Sequence, residues 1–179
     1  PMSVKEIFET MDYGPALEAT QEATQWLQNH DRRFGHFING ANCEGSDHFQ
    51  SRNPATGEAL AKIAQANEQD VHNAVASARV AQADWGAQSG HQRARVLYAI
   101  ARLVQKHSRL FATLETLDNG KPIRESRDID IPLVHRHFYY HAGMAQLMAS
   151  ELPNRQALGV CGQIIPWNFP LLIRNLGLG

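Results

Sequence analysis

The chain has 179 residues, of which 43% are apolar and 20% are charged, with a formal net charge of −1. This composition is ordinary for a globular protein that can bury a core, and the balanced charge favours neither a nucleic-acid partner nor an anionic membrane surface. No apolar run approaches the roughly 20 residues that span a bilayer, and the first residues contain no apolar signal segment. We therefore expect no nucleic-acid or membrane partner.

The two cysteines, Cys43 and Cys161, lie far apart in the sequence and form no CxxC motif. This arrangement predicts no disulfide framework, zinc site or dithiol redox motif. The simplest expectation is a reducing, cytoplasmic compartment.

The first 66 residues are predicted to change from helix to strand. Residues 3–29 have helical periodicity, with a break near Gly14-Pro15. Strand patterns follow at residues 34–40, 49–53 and 58–66. The first of these strands ends in Asn39-Gly40, which is a strong hairpin signal. We expect the strands to form a small antiparallel sheet with one polar face.

Four helices are predicted between residues 67 and 148. Asn67 is the N-cap of the first, and Ser89 begins a capping box for the second. The third stops at Asn119-Gly120, where glycine can adopt a positive φ. The fourth begins near residue 128 and tolerates Pro132 in its first turn. The residues predicted to face the core are Val71, Ala74, Val75, Ala78 and Trp85, then Leu97, Ile100, Ala101 and Val104, then Phe111, Leu114 and Leu117, and finally Ile131, Val134, Phe138, Ala142, Ala145 and Met148.

Residues 159–170 predict a buried strand that ends in a proline-flanked turn. Ile164 and Ile165 supply apolar side chains, and Pro166 ends the strand because proline has no N–H to donate. Pro170 is placed to begin a helix. Ligand crevices in open α/β sheets lie at the carboxyl ends of strands, so this turn is the best candidate for a binding site.

Asn168 lies in this turn. A neutral amide cannot act as a nucleophile or base, but it can donate an N–H to an oxyanion that forms in a closed site. The alternative is an asparagine that only forms the turn or caps the next helix. The pattern alone leaves both interpretations open.

Three other groups match chemical sites less well. His137 and His141 are four residues apart, but no third metal ligand is evident, so packing or surface roles are favoured. Asp128 and Asp130 are expected to diverge around a helix start and act as N-terminal charges. Cys161 lies in the apolar predicted strand, which favours a buried structural thiol over a nucleophile. The glycines form neither a GxGxxG nor a GxxxxGK[ST] loop.

Several blocks, in order along the chain, resemble the aldehyde dehydrogenase superfamily. Residues 159–172 (GVCGQIIPWNFPLL) are similar to its strand–turn signature. The other blocks are FING at 37–40, NPATGE at 53–58, the helix from Asp70 to Trp85, LETLDNGKP at 114–122 and FYYHAG at 138–143. The resemblance covers residues 34–173, and the N-terminal extension with the connector at 151–156 is similar to the family-sixteen branch.

The resemblance implies an α/β fold with N-terminal helices, a small antiparallel sheet, a four-helix segment and the first strand of a doubly wound dinucleotide-binding sheet. It divides the chain into a helical and small-sheet region, 1–155, and the start of a dinucleotide-binding domain, 156–179. It implies oxidation of an aldehyde to a carboxylic acid with NAD or NADP through a cysteine thiolate. It also implies a homo-oligomer for the full-length form.

The resemblance further implies roles for residues of the turn. Asn168 matches the oxyanion-hole asparagine, and Phe169 matches a substrate-tunnel aromatic. Asp118 matches a position near a monovalent-cation site in some members. The positions that match the lining of the cofactor crevice are Ile164, Ile165, Pro166 and Trp167.

The sequence departs from the family pattern after Leu172. Leu176 and Gly177 occupy the places of a Trp-Lys pair, and the chain lacks the segments that carry the nucleophilic cysteine, the general-base glutamate and the cofactor lysine. We expect an N-terminal fragment that has no dehydrogenase activity alone. The alternative is a non-catalytic binding or assembly module, whose exposed apolar end pairs with a partner subunit.

Overall fold

The computed structural model describes residues 3–6 and 18–176. The predicted break at Gly14-Pro15 and the tail from Gly177 lie outside these residues. Strands and helices are numbered in chain order from residue 21. The elements are α1 (Gln21–Asn29), β1 (Arg33–Phe34), β2 (His36–Ile38), β3 (Ala41–Cys43), β4 (Asp47–Arg52), β5 (Ala59–Gln65), α2 (Glu68–Ala87), α3 (Gly90–Lys106), α4 (Ser108–Asn119), α5 (Ile123–Glu125), a π-helical segment (Ser126–Asp130), α6 (Ile131–Glu151) and α7 (Pro170–Leu176).

The strands form two small sheets instead of the single antiparallel sheet that the pattern predicted. β5 lies between β1, which is parallel to it, and β4, which is antiparallel. β2 and β3 form a separate hairpin, and its predicted Asn39-Gly40 turn is confirmed by positive φ angles of 53° and 73°. The first predicted strand is divided at Gly35, where a Cβ would lie 2.2 Å from the carbonyl oxygen of Cys43. Only glycine permits this approach of the two chain segments.

The core lies between the antiparallel helices α3 and α6, with contributions from α4 and α7. Its fully or nearly fully buried side chains are Ala94, Leu97, Ala101, Val104, Ala112, Ile131, Val134, Phe138, Ala142 and Leu172. The predicted inner faces of α3 and α6 are therefore confirmed. In α4 the buried face is instead formed by Ala112, Thr113 and Glu115, because the larger apolar side chains of this helix face a groove beside the sheet.

The predicted apolar face of α2 is not buried. No residue of this helix is classed as buried, and Val71 and Trp85 are 55% and 40% exposed. The helix lies against the β2–β3 hairpin, which is too small to cover it. Its N-terminus is nevertheless as predicted, because Asn67 caps the helix; Asp70 completes a reciprocal capping box, which was not predicted.

The stop at the end of α4 depends on Gly120. Its φ is 83°, and a Cβ at this position would lie 2.7 Å from Cγ of Pro54. We expect Gly120→Ala to lower the free energy of unfolding by about 1–2 kcal/mol, since L-residues are strained in this conformation. Urea denaturation measures the loss. Gly86→Ala is the control, because its Cβ would meet nothing within 4 Å; a similar loss in both variants would contradict this explanation.

The predicted strand at residues 159–165 is wrong for this structure. Residues 152–169 have no regular secondary structure, and Leu158 and Ile164 are 98% and 101% exposed. Cys161, expected to be buried, is exposed as well. A parallel strand needs a neighbour for its backbone groups, and no strand among residues 3–6 and 18–176 pairs with this segment.

Within the described part of the chain, no helix combines the length and the apolar content that crossing a membrane would require.

Candidate functional site

The turn before α7 presents Asn168 to solvent. Trp167 and Asn168 form the turn, and Pro170 begins the helix as predicted. The backbone N–H of Ile173 donates to the carbonyl of Phe169 at 2.9 Å, which joins the turn to the first turn of α7. The side chain of Asn168 is exposed and has no hydrogen-bond partner among the described residues. Its amide is therefore free to bind a ligand.

The C-terminal end of α4 contacts the turn on both sides of Asn168. The side-chain amide of Asn119 donates to the backbone carbonyl of Trp167, with Nδ2 2.5 Å from the oxygen. The ammonium of Lys121 lies 3.9 Å from the centroid of the Phe169 ring, in a cation–π contact. The turn is thus attached to the folded body through the residues that precede and follow Asn168.

A buried ion pair holds Lys121 in its contact with Phe169. Asp130, the last residue of the π-helical segment, is fully buried, and its carboxylate pairs with Lys121, whose side chain is 11% exposed. The two acids diverge as expected, but the expectation that Asp130 acts as an N-terminal helix charge is wrong, because the π-helical turn directs its carboxylate inward to Lys121. Asp128 remains at the surface and pairs with Arg127, whose guanidinium lowers the pKa of that carboxyl.

Glu115 lies beside this ion pair on the buried face of α4. Burial, followed by the negative charge of Asp130, raises its pKa to about 7, while Lys121 opposes the shift. The described part of the chain provides no hydrogen-bond partner for one buried oxygen of each acid, Oε1 of Glu115 and Oδ1 of Asp130. The ammonium of Lys121 thus offsets the negative charge of both carboxyl groups. Because the pKa of Glu115 is about 7, this residue is partly protonated near neutral pH.

Glu115 makes the stability of the fold depend on pH. Its folded-state pKa of about 7 exceeds its ordinary value of 4.5, so the folded state binds the proton more tightly and loses stability as pH rises through this window. We expect Glu115→Gln to increase the free energy of unfolding at pH 8, on the order of 2 kcal/mol, and to change it little at pH 4. Urea denaturation at both pH values measures the difference. Exposed Glu58→Gln is the control; equal effects of Glu115→Gln at pH 4 and pH 8 would contradict the assignment.

An apolar groove of about 550 Å³ separates the three-stranded sheet from α4 and α7. Ile165, Pro170 and Leu171 line one wall, whereas Ile164 faces solvent. The family resemblance assigns Ile164 and Ile165 to the lining of one crevice. In this structure Ile164 lies in solvent and Ile165 lies in the groove. Asp118 also lines the groove and accepts a hydrogen bond from Ser51.

The histidine cluster on α6 does not assemble a metal centre. The rings of His137 and His141 stack with centroids 6.5 Å apart. Burial, and then the proximity of His137, lowers the pKa of His141. No group of three or more histidine, cysteine or acidic residues is arranged to hold a metal ion in the described ranges.

The supporting residues of the site were missed by reasoning from the sequence. Asn119 and Lys121 were interpreted only as parts of a helix stop, and Glu115 was given no role. The sequence contained one indication of this role, because Lys121 directly follows Gly120, the left-handed glycine at which α4 ends. Its partner, Asp130, is nine residues away across a π-helical turn that the periodicity does not reveal.

The comparisons with known proteins agree on one family. A profile of the aldehyde dehydrogenase family matches residues 41–177. The chain is 40% identical over 151 residues to "Aldehyde dehydrogenase family 2 member B4, mitochondrial" of Arabidopsis thaliana, covering 78% of this chain and 28% of that protein. It is 38% identical over 156 residues to an aldehyde dehydrogenase of Paracoccus denitrificans, covering 80% and 30%.

A solved structure matches the fold as well. The NAD+ complex of the aldehyde dehydrogenase from Bacillus cereus superposes with a TM-score of 0.72 at 32% identity, covering 82% of this chain and 33% of that chain. The chain thus spans about a third of the length of the relatives that it matches. The family match extends from β3 through the turn at Asn168. This chain therefore belongs to the aldehyde dehydrogenase family.

Proposed function

We propose that the chain supplies the N-terminal part of an NAD(P)-dependent enzyme that oxidises an aldehyde to a carboxylic acid, and that residues 156–179 begin its dinucleotide-binding domain. The observation that carries this proposal is the turn at Asn168. The amide is exposed and has no hydrogen-bond partner within residues 3–6 and 18–176, while the residues before and after it are anchored. An anchored donor with a free N–H is what stabilisation of a developing negative charge requires.

In this reaction Asn168 acts on the oxyanion. Attack of a thiolate on the aldehyde carbon places negative charge on the former carbonyl oxygen, and the Asn168 side-chain N–H would donate to it. Because the charge is absent in the free aldehyde, this hydrogen bond stabilises the transition state more than the ground state. Phe169 would bound the approach of the aldehyde; its position is fixed by Lys121.

The surroundings of the turn fit a nicotinamide dinucleotide. Ile164 and Trp167 are 101% and 89% exposed and offer apolar surface for a flat ring, and Ile165 and Pro166 complete the matched segment. The bound cofactor would accept the hydride of the substrate. Apolar side chains form no hydrogen bond with a phosphate, so Ile164, Pro166 and Trp167 would contact the rings of the cofactor, whereas Ile165 lines the groove beside α7.

Neither thiol of this chain is arranged as the nucleophile. Cys43 lies in β3 of the hairpin, and Cys161 lies close to the carbonyl of Gly159 at 3.7 Å. No basic side chain among the described residues forms an ion pair or hydrogen bond with either thiol. We therefore expect no aldehyde-dependent NADH formation from residues 1–179 alone.

The test is a hybrid enzyme, in which this chain replaces the matching N-terminal part of the Paracoccus denitrificans aldehyde dehydrogenase. We expect the folded hybrid to form NADH or NADPH with short aliphatic or aromatic aldehydes. A hybrid with the catalytic cysteine of the Paracoccus part changed to alanine is the blank. A hybrid that folds, by circular dichroism and a cooperative melt, and yet reduces no cofactor would contradict the proposal.

One observation favours a second function, a non-catalytic assembly module. Leu158, Ile164 and Trp167 expose nearly their whole apolar side chains, and such side chains in one segment mark a surface that another protein covers. Size-exclusion chromatography with light scattering separates the two functions. A defined complex with a partner, together with an inactive hybrid, would favour the assembly module.

A further inference from the structure

We infer that Asn119 is a positioning residue for Asn168, and that it acts by fixing the backbone of the turn that contains Asn168. This inference rests on the proposed role of Asn168 as oxyanion donor. It assigns to the C-terminal residue of α4 a role in the reaction that is exerted through the backbone of the turn.

The contact of Asn119 is directed at the backbone of the turn. Its Nδ2 lies 2.5 Å from the carbonyl oxygen of Trp167, while the indole of Trp167 is 89% exposed and supplies little anchoring by packing. The peptide group that carries this oxygen also contains the backbone nitrogen of Asn168. Movement of the bonded carbonyl therefore moves Asn168 directly.

Asn119 is itself held in a fixed place. It ends α4, whose Thr113 and Glu115 are buried, and Gly120 follows in the left-handed conformation against Pro54. Beyond the glycine, Lys121 is attached to buried Asp130 and contacts the ring of Phe169. The amide of Asn119, at the C-terminus of α4, and the ammonium of Lys121, two residues further on, therefore hold the turn on both sides of Asn168.

The two contacts leave the Asn168 side chain unbound. This division suits an oxyanion donor, because the backbone is constrained while the donating N–H stays available. Precise placement matters for such a donor, since a displacement of about 1 Å can reduce the rate about 100-fold.

Nuclear magnetic resonance of this chain tests the structural part. Asn119→Asp retains the size of the side chain and removes the N–H donor. We expect the backbone order parameter of Asn168 to fall from a rigid value of about 0.85 toward 0.6 or below. Asn73→Asp, at an exposed position of α2, introduces the same charge and is the control. An unchanged order parameter at Asn168 in Asn119→Asp would overturn the inference.

A double-mutant cycle in the hybrid enzyme tests the catalytic part. We expect Asn119→Asp to lower kcat about 10-fold, with a smaller change in KM for the aldehyde. In the Asn168→Ala background the same change should have almost no further effect, because the group being positioned is gone. Asn119→Gln keeps an amide donor and should recover part of the rate.

The outcomes separate this inference from the proposed function. A full 10-fold loss from Asn119→Asp in the Asn168→Ala background would show a general structural role and overturn the positioning role. So would an unchanged kcat in Asn119→Asp when Asn168→Ala is strongly impaired. If Asn168→Ala itself keeps its full kcat, the proposed role of Asn168 is wrong, whereas the order parameters still decide whether Asn119 fixes the turn.

Discussion

Lys121→Met is expected to lower the free energy of unfolding by about 3–5 kcal/mol, because it removes the ion-pair partner that the described residues provide for the fully buried carboxylate of Asp130. Methionine has a similar length and can still pack against Phe169, so the loss reports the positive charge, which contributes both the ion pair and the cation–π contact. Nearby Glu115 makes the cost larger, since Lys121 also offsets its negative charge. Chemical denaturation at pH 7 measures the effect.

Two variants show whether burial is the cause. Lys121→Met combined with Asp130→Asn should recover much of the loss, because no unpaired charge remains. Arg33→Met breaks an ion pair with Glu44 whose side chains are 43% and 79% exposed, and it should cost less than about 1 kcal/mol. Equal losses in Lys121→Met and Arg33→Met would show that the buried pair has no special importance.

Asn168→Ala in the hybrid enzyme is expected to lower kcat by about 10²–10³-fold, the effect of removing one donor from an oxyanion hole. KM for the aldehyde should change less, because the hydrogen bond forms with charge that develops in the transition state. Asn168→Asp should be at least as slow, since a carboxylate offers no N–H and repels the oxyanion. Steady-state rates of NADH formation measure both variants.

Asn73→Ala is the matched control for Asn168→Ala. Asn73 is an exposed asparagine on α2 whose side-chain oxygen accepts a hydrogen bond from Gln69, far in sequence from the turn. Its substitution should leave kcat unchanged. For Asn168→Ala, a loss of about 10²-fold relative to the Asn73→Ala hybrid is expected. A kcat within about twofold of that control would show that Asn168 is not the oxyanion donor.

Features set by neighbouring residues were predictable from the sequence. The capping boxes at Asn67 and Ser89 need only residues three apart, and both form. The Asn39-Gly40 hairpin and the left-handed Gly120 follow from the steric freedom of single residues, and both are confirmed. The start of α7 at Pro170 is of the same kind.

Features that depend on distant partners were not predictable. The sequence predicts that Asp130 is a helix-terminal charge, but a π-helical turn places it in the core beside Lys121. The face of α2 has the apolar pattern of a buried helix, yet its neighbour, the β2–β3 hairpin, covers little of it. Apolar periodicity predicts which side chains share one face of a helix, but it does not predict which other element covers that face.

The segment 159–165 shows the same limit most clearly. Its apolar content predicted a buried strand, while the structure leaves Ile164 wholly exposed and the backbone without strand partners. Strand composition expresses a capacity for pairing, and pairing requires a neighbouring strand. The contact between Asn119 and Trp167 spans 48 positions and was equally hidden from local patterns.

The proposal that residues 156–179 begin a dinucleotide-binding domain requires residues 159–165 to gain a strand neighbour, which the described residues 3–6 and 18–176 do not supply. Amide hydrogen exchange of this segment, compared between the chain alone and the hybrid enzyme, tests it most directly. We expect rapid exchange at these amides in the chain alone and protection of at least about 100-fold in the hybrid, since ladder hydrogen bonds close only there. Equally rapid exchange in a folded and active hybrid would contradict the proposal, because residues 159–165 would then pair with no strand of a dinucleotide-binding domain.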